Sequence, residues 1–205
     1  LQLAKLGADS GDARLKGAEF TIEGAFAKDA TSGVLEQRTF EGLSVEEVSA
    51  LHFAVGQTYT LTETRAPAGY ELIEGSLTFT VADDGRVYEG NIDASSVSNG
   101  EYRLLDDHLG IVAVDQPIEI ALAKYGSDKG TDTPDKALSG ATFRIRGVFA
   151  DSETGEVDEK VFSMKEGSIT LRHLVAGNVY RLWEVAAPAG YKQIEGEIAF
   201  RVNTD

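Results

Sequence analysis

The chain of 205 residues carries a formal net charge of −15 and no cysteine. That balance argues against a nucleic-acid partner, which needs Lys/Arg surfaces, and it removes disulfides as the staple of a small exported domain. Apolar residues make up 42%, enough for a core, yet no apolar run approaches the roughly 20 residues that would insert across a bilayer.

The predicted elements are mostly short alternating strands. LQLAK (1–5) places Leu1, Leu3 and Lys5 in one phase, since successive side chains of a strand point to opposite faces. SVEEVSALHFAV (44–55) is the helix-like stretch, read as one or two turns over the end of the fold or as a strand with a loop. YTLTE (59–63) puts Tyr59, Leu61 and Glu63 on one face and its threonines on the other. APAGY then turns the chain away, because Pro67 cannot donate to a ladder and Gly69 can supply a positive φ. SLTFTV (76–81) aligns Leu77, Phe79 and Val81, and Asp83-Asp84-Gly85 reads as a hairpin turn. Residues 90–108 form the longest stretch read as irregular, after which GIVAVDQP (110–117) brings Ile111, Ala113 and Asp115 into phase.

The chain then repeats itself. ETRAPAGYELIEG (63–75) returns as EVAAPAGYKQIEG (184–196), an offset of 184 − 63 = 121 residues. IEIALAK (118–124) aligns Ile118, Ile120, Leu122 and Lys124, while Tyr180, Leu182 and Glu184 share a face, as do Ile198, Phe200 and Val202. Two tandem domains are expected, residues 1–116 and 117–205. Short alternating segments broken by Gly, Asp and Asn turns make both all-β, as antiparallel sandwiches.

The same alternation turns charged residues inward. Each domain directs one lysine and one glutamate toward its core, Lys5 with Glu63 and Lys124 with Glu184; domain 1 adds Asp115. Burying an ion costs several kcal/mol unless it is well paired. Two readings follow from the pattern. One is a buried Lys–Glu salt bridge, or strand-end side chains that reach back to water. The other is reactive: desolvation favours the neutral forms of amines and carboxyls, a neutral amine is a nucleophile, and a nearby carboxylic acid can shuttle the departing proton. Its product is an amide between Lys5 and Asp115, with loss of water.

LAKLGADSG…LKGAEFTI, then YTLTETRAPAGY, then IVAVD resembles the Cna-B (SpaA-type) domains of Gram-positive surface adhesins and sortase-assembled pilins, twice over nearly the whole chain. The resemblance implies a prealbumin-like, Ig-like β-sandwich with a spontaneous isopeptide bond between Lys and Asn or Asp, assisted by glutamate. The matching positions are Lys5, Glu63 and Asp115 in domain 1, and Lys124 and Glu184 in domain 2. It also implies a surface protein attached to the Gram-positive cell wall, with neighbouring domains or pilin subunits as partners. Domain 2 departs from the pattern: FRVNTD (200–205) matches FTVADD (79–84), not IVAVD, and Asn203 is out of phase with the core residues. Domain 2 is therefore expected to lack its final strand here, with its acceptor beyond Asp205 or on another chain.

No cofactor, metal site or turnover enzyme is expected. His52, His108 and His173 lie far apart without metal-ligand spacing, and there is no nucleophile elbow, phosphate loop or HExxH. Two functions remain: a structural stalk module stiffened by internal cross-links, or a module that binds a host protein or glycan. The long 90–108 segment offers only Tyr102 as an aromatic, which favours the stalk.

Overall fold

Alternation sets the strands, and burial on one face packs them. A computed structural model describes residues 1–28, 33–126, 136–151 and 156–203, and the chain divides into two compact units, Leu1–Pro117 and Ile118–Asp205.

The first unit runs β1 (Gln2–Gly7), β2 (Glu19–Ala27), β3 (Leu35–Leu43), α1 (Val45–Ser49), β4 (Thr58–Arg65), β5 (Leu77–Thr80), β6 (Ile92–Asp93), β7 (Gly100–Leu104) and β8 (Gly110–Asp115). One sheet is five-stranded in the order β3-β2-β4-β5-β6, the other three-stranded in the order β1-β8-β7. Between them lie Phe20, Ile22, Tyr59, Leu61, Leu77 and Phe79, each at most 1% exposed. Full burial stabilises such side chains by about 1.5–3 kcal/mol each. All six residues of β8 are buried, because it is the middle strand and covered on both faces. Ile111 and Ala113 join the main core, while Val112 and Val114 pack with Ala4, Leu6 and Leu105 on the other side.

The ladder between β1 and β8 is parallel. Antiparallel pairing was expected throughout. Alternation reports which face of a strand is buried, not the direction of its partner, so this closing pair was not readable from pattern. Residues 90–108 are also more ordered than expected. They contain β6 and β7, and β7 is antiparallel to β8. The helical stretch shortens to α1, started by a capping box in which Ser44 Oγ accepts from the Glu47 N–H and Glu47 Oε2 accepts from the Ser44 N–H. Ser49 Oγ accepts a hydrogen bond from the Leu3 N–H at 2.9 Å, so α1 lies along β1.

The second unit contains β9 (Glu119–Ala123), β10 (Tyr125–Gly126), β11 (Lys136–Ala137), β12 (Thr142–Val148), β13 (Val157–Ser163), β14 (Ser168–Arg172), β15 (Val179–Ala186) and β16 (Ile198–Arg201). Its larger sheet is β13-β12-β15-β16, faced by the pair β14-β9, with β10-β11 as a small ribbon. The all-β class holds for both units. Phe143, Ile145, Tyr180 and Leu182 form the second core. The two units differ in how well they cover their repeat residues: Ile73 and Leu77 are 1% and 0% exposed, whereas their counterparts Ile194 and Ile198 are 45% and 52% exposed.

Candidate functional site

In the first unit the three inward charges meet. Lys5, Glu63 and Asp115 are 0%, 2% and 0% exposed. Lys5 comes from β1, Asp115 from the end of β8, and Glu63 from β4 in the opposite sheet. Lys5 Nζ contacts Asp115 Oδ1 and lies 2.7 Å from Glu63 Oε1. The ring of Phe20, paired with Glu63 across β2 and β4, sits 5.8 Å from the same amine.

The register explains why these side chains can converge. In one row across the three-stranded sheet, Lys5 pairs with Ala113 and Ala113 with Tyr102; in the next, Gly7 pairs with Asp115 and Asp115 with Gly100. Asp115 thus has a glycine on either side, and both spaces are filled from the repeated phrase. A Cβ on Gly7 would lie 2.2 Å from the Tyr70 ring, and one on Gly100 would lie 2.6 Å from Ile73 Cγ1. Any side chain there would displace a residue that closes the site. The backbone N–H of Ile73 also donates to Glu63 Oε2 at 3.0 Å, holding the carboxylate. One thirteen-residue phrase therefore supplies the acid, the clamp on the acid, and two apolar covers.

The electrostatics follow from burial. Desolvation first, then the charge of Glu63 and a hydrogen bond shared with its carboxyl, against Lys5's opposing effect, raise the Asp115 carboxyl from 3.8 to about 7. Its Oδ2 has no hydrogen-bond partner among the described residues. Burial, then Asp9, then Asp115 push the Tyr70 phenol up to about 12.

The second unit builds half of this. Lys124 Nζ lies 3.2 Å from Glu184 Oε1 and 3.3 Å from Oε2, and the Ile194 N–H donates to Oε2 at 2.6 Å. Gly126 again makes room for a tyrosine ring, with Tyr191 Cε1 2.4 Å from where a Cβ would lie. Among the described residues Lys124 has no carboxylate partner besides Glu184, and Asn203 is exposed. Trp183, on the face opposite Glu184, is half-buried with the Arg144 guanidinium 5.3 Å from its ring. No group of three or more His, Cys, Asp or Glu among the described residues is placed to hold a metal.

The sequence reading missed Tyr102, Gly7, Gly100 and Ile73. The signal for Tyr102 was present: in GEYRL, Tyr102 and Leu104 alternate with Glu101 and Arg103, which pair at 3.1 Å on the outer face.

Fold and site together define an all-β sandwich domain, used twice, with an amine and carboxylates enclosed in the core. The family model for the SpaA prealbumin-like fold domain matches residues 1–96 and 118–205. The chain belongs to that family. The matched segments leave out β7 and β8, so Tyr102 and Asp115 lie outside them. A search of curated proteins finds no match. Among solved structures, an iodide-soaked C-terminal fragment of the pilus adhesin SpaC from Lactobacillus rhamnosus GG is similar at 21% identity and TM-score 0.48, over 99% of this chain and 82% of the fragment. A variant of the shaft pilin SpaA from Lactobacillus rhamnosus GG gives 16% identity and TM-score 0.35, covering 99% and 94%. A streptococcal ancillary pilin gives 21% and 0.32, covering 99% and 58%.

Proposed function

We propose that the chain is a structural module of a surface pilin or adhesin, locked by an amide bond between Lys5 and Asp115 that forms without an external catalyst. The observation that carries this reading is the enclosure of one amine and two carboxyls at no more than 2% exposure, with one Asp115 oxygen left unpartnered. A buried ion set of this kind is costly, and replacing the Lys–Asp pair by a neutral amide relieves that cost.

The reaction needs a neutral amine and a neutral acid in contact. An Asp115 carboxyl raised to about 7 by burial holds its proton far more readily at neutral pH than an ordinary aspartate. Glu63 accepts the proton that Lys5 sheds and returns it to the leaving oxygen. The Nζ–Cγ bond forms, one Cγ–O bond breaks, and one water departs. Preorganised contact replaces encounter, the source of very large effective concentrations. Tyr70 and Ile73 keep bulk water from the carboxyl. The bond would tie the first strand of the unit to the last, suiting a stalk loaded along its length. A cell-wall location on a Gram-positive surface, with neighbouring domains or subunits as partners, goes with that reading.

Intact mass under denaturing conditions tests it. One water below the sequence mass, with a peptide joining the Lys5 and Asp115 segments, supports the bond; an unmodified mass with a free Lys5 amine removes it.

A further inference from the structure

Tyr102 is buried to 7% exposure, and its hydroxyl has no hydrogen-bond partner among the described residues. An orphaned buried hydroxyl is destabilising, and a phenylalanine would avoid that cost. Its place in the sheet is specific. Tyr102 lies in the same row as Lys5 with only the methyl of Ala113 between them, and diagonal to Asp115, whose direct neighbour on β7 is the bare Gly100. Asp115 is thus flanked diagonally by the amine on its β1 side and by the phenol on its β7 side. The unpartnered Oδ2 of Asp115 is an acceptor in the same enclosure. Burial first, then the charge of Glu63, opposed by the Glu63 backbone N–H directed at the phenol oxygen, and more weakly the charge of Asp115, hold the phenol above its ordinary range, so it stays a proton-bearing donor.

We propose that the Tyr102 hydroxyl is the oxyanion donor of the cross-linking reaction, an inference that rests on the Lys5–Asp115 reading. When Nζ attacks Cγ, negative charge develops on the Asp115 oxygen that stays behind. The phenol donates to that oxygen and keeps its own proton throughout. The proton from nitrogen travels by Glu63 to the other oxygen, which leaves as water. In the product the same hydroxyl donates to the new amide carbonyl, so both orphaned groups become satisfied by the reaction itself. Donors aimed at where charge will appear, and left unpaired beforehand, are the recognised geometry of electrostatic catalysis.

The test is Tyr102→Phe in the full chain, which keeps the ring and removes only the hydroxyl. Chain recovered unfolded in denaturant, before it has reacted, is diluted into buffer, and the water loss is followed by intact mass against time. Removing one oxyanion donor elsewhere slows a reaction about 100-fold or more; here a slowing of about 10–100-fold is expected. A second measurement separates chemistry from packing: in a Glu63→Gln background, where neither chain cross-links, Tyr102→Phe should leave unfolding stability unchanged or raised. Slow condensation with undiminished stability supports the donor role. Condensation at the wild-type rate overturns it, as does slowing matched by lost stability, which would make Tyr102 a packing residue. A wild-type chain that never loses water overturns the cross-link and this proposal together, an outcome distinct from either.

Discussion

Glu63→Gln isolates the covalent bond from the contacts around it. Glutamine keeps the shape of the side chain and an oxygen to accept the Ile73 N–H, now 3.0 Å from Glu63 Oε2. It removes the proton relay beside Lys5, 2.7 Å away, and leaves Lys5 and Asp115 as a matched pair. The expected product is a folded, unreacted first unit. The bond would close a loop of 110 residues, worth about 5 kcal/mol in the chain-entropy account of cross-links. At about 4 °C per kcal/mol for a unit of this size, the first unit should melt roughly 20 °C lower. Hydrogen exchange resolved by peptide reads the first unit, and Trp183, the single tryptophan and a residue of the second unit, gives an internal fluorescence reference that should not shift. Two results refute the reasoning: a Glu63→Gln chain still one water light, which would assign the relay to another group, or an unreacted chain within about 1 kcal/mol of wild type, which would deny the bond any stabilising role.

Asp115→Asn should still condense but release ammonia in place of water, because the carboxamide presents the same carbon to Lys5; high-resolution intact mass distinguishes the two losses, and an unreacted Asn chain would limit the site to carboxyl chemistry. Lys5→Met should expose the titration of Asp115. Beside Lys5 the native carboxyl is already raised from 3.8 to about 7 against the lysine's lowering effect; without the lysine it lies higher still and binds its proton more tightly than the unfolded one, so stability is highest below about pH 4 and falls as pH rises to about 7 and beyond. About three units at ~1.4 kcal/mol each put the fall between about pH 4 and 7 near 4 kcal/mol. Urea midpoints for Lys5→Met and wild type across that window provide the check, since cross-linked Asp115 cannot titrate; a Lys5→Met stability that is flat or rises relative to wild type contradicts the assignment.

The strand phases were legible from alternation in the residue types, most cleanly in β4, whose burial itself follows period two. Leu3 with Lys5, Leu61 with Glu63, and Ile111 with Asp115 each turn inward together, as period two requires. What could not be read is anything set by pairing across the chain. The parallel closure of β1 on β8, and the two rows that flank Asp115 with glycines and Lys5 with Tyr102, depend on register: between β1 and β8 across 110 − 2 = 108 residues, and between β7 and β8 across a hairpin. β7 was hidden for a different reason. Its entry through Ser95, Ser96, Ser98 and Asn99 reads as loop composition, and an edge strand need bury little: of its five residues only Tyr102 is fully buried.

The second unit puts the chemistry to its sharpest test, because among its described residues the amine and the acid stand without a second carboxyl beside the amine. If an inward lysine beside a glutamate were enough, Lys124 would be consumed like Lys5. It is nearly as enclosed, its side chain 8% exposed against 0%, and Glu184 is clamped by Ile194 as Glu63 is by Ile73. The difference lies in what stands alongside. β1 has β8 on one edge and so receives Asp115, whereas β9 is paired with β14 alone among the described residues. Glu184 itself is an unsuitable acceptor, since condensation with it would remove the proton relay the reaction uses. The expected chain therefore contains one condensation, with Lys124 still a free amine. Amine-reactive labelling of the denatured chain, followed by peptide mapping, should modify Lys124 fully and leave Lys5 unlabelled. A Lys124 blocked in the denatured chain, mapping to Asn203 or to Glu184, would mean that burial beside any carbonyl group suffices, and that the glycine-flanked setting of Asp115 is not what makes the first unit react.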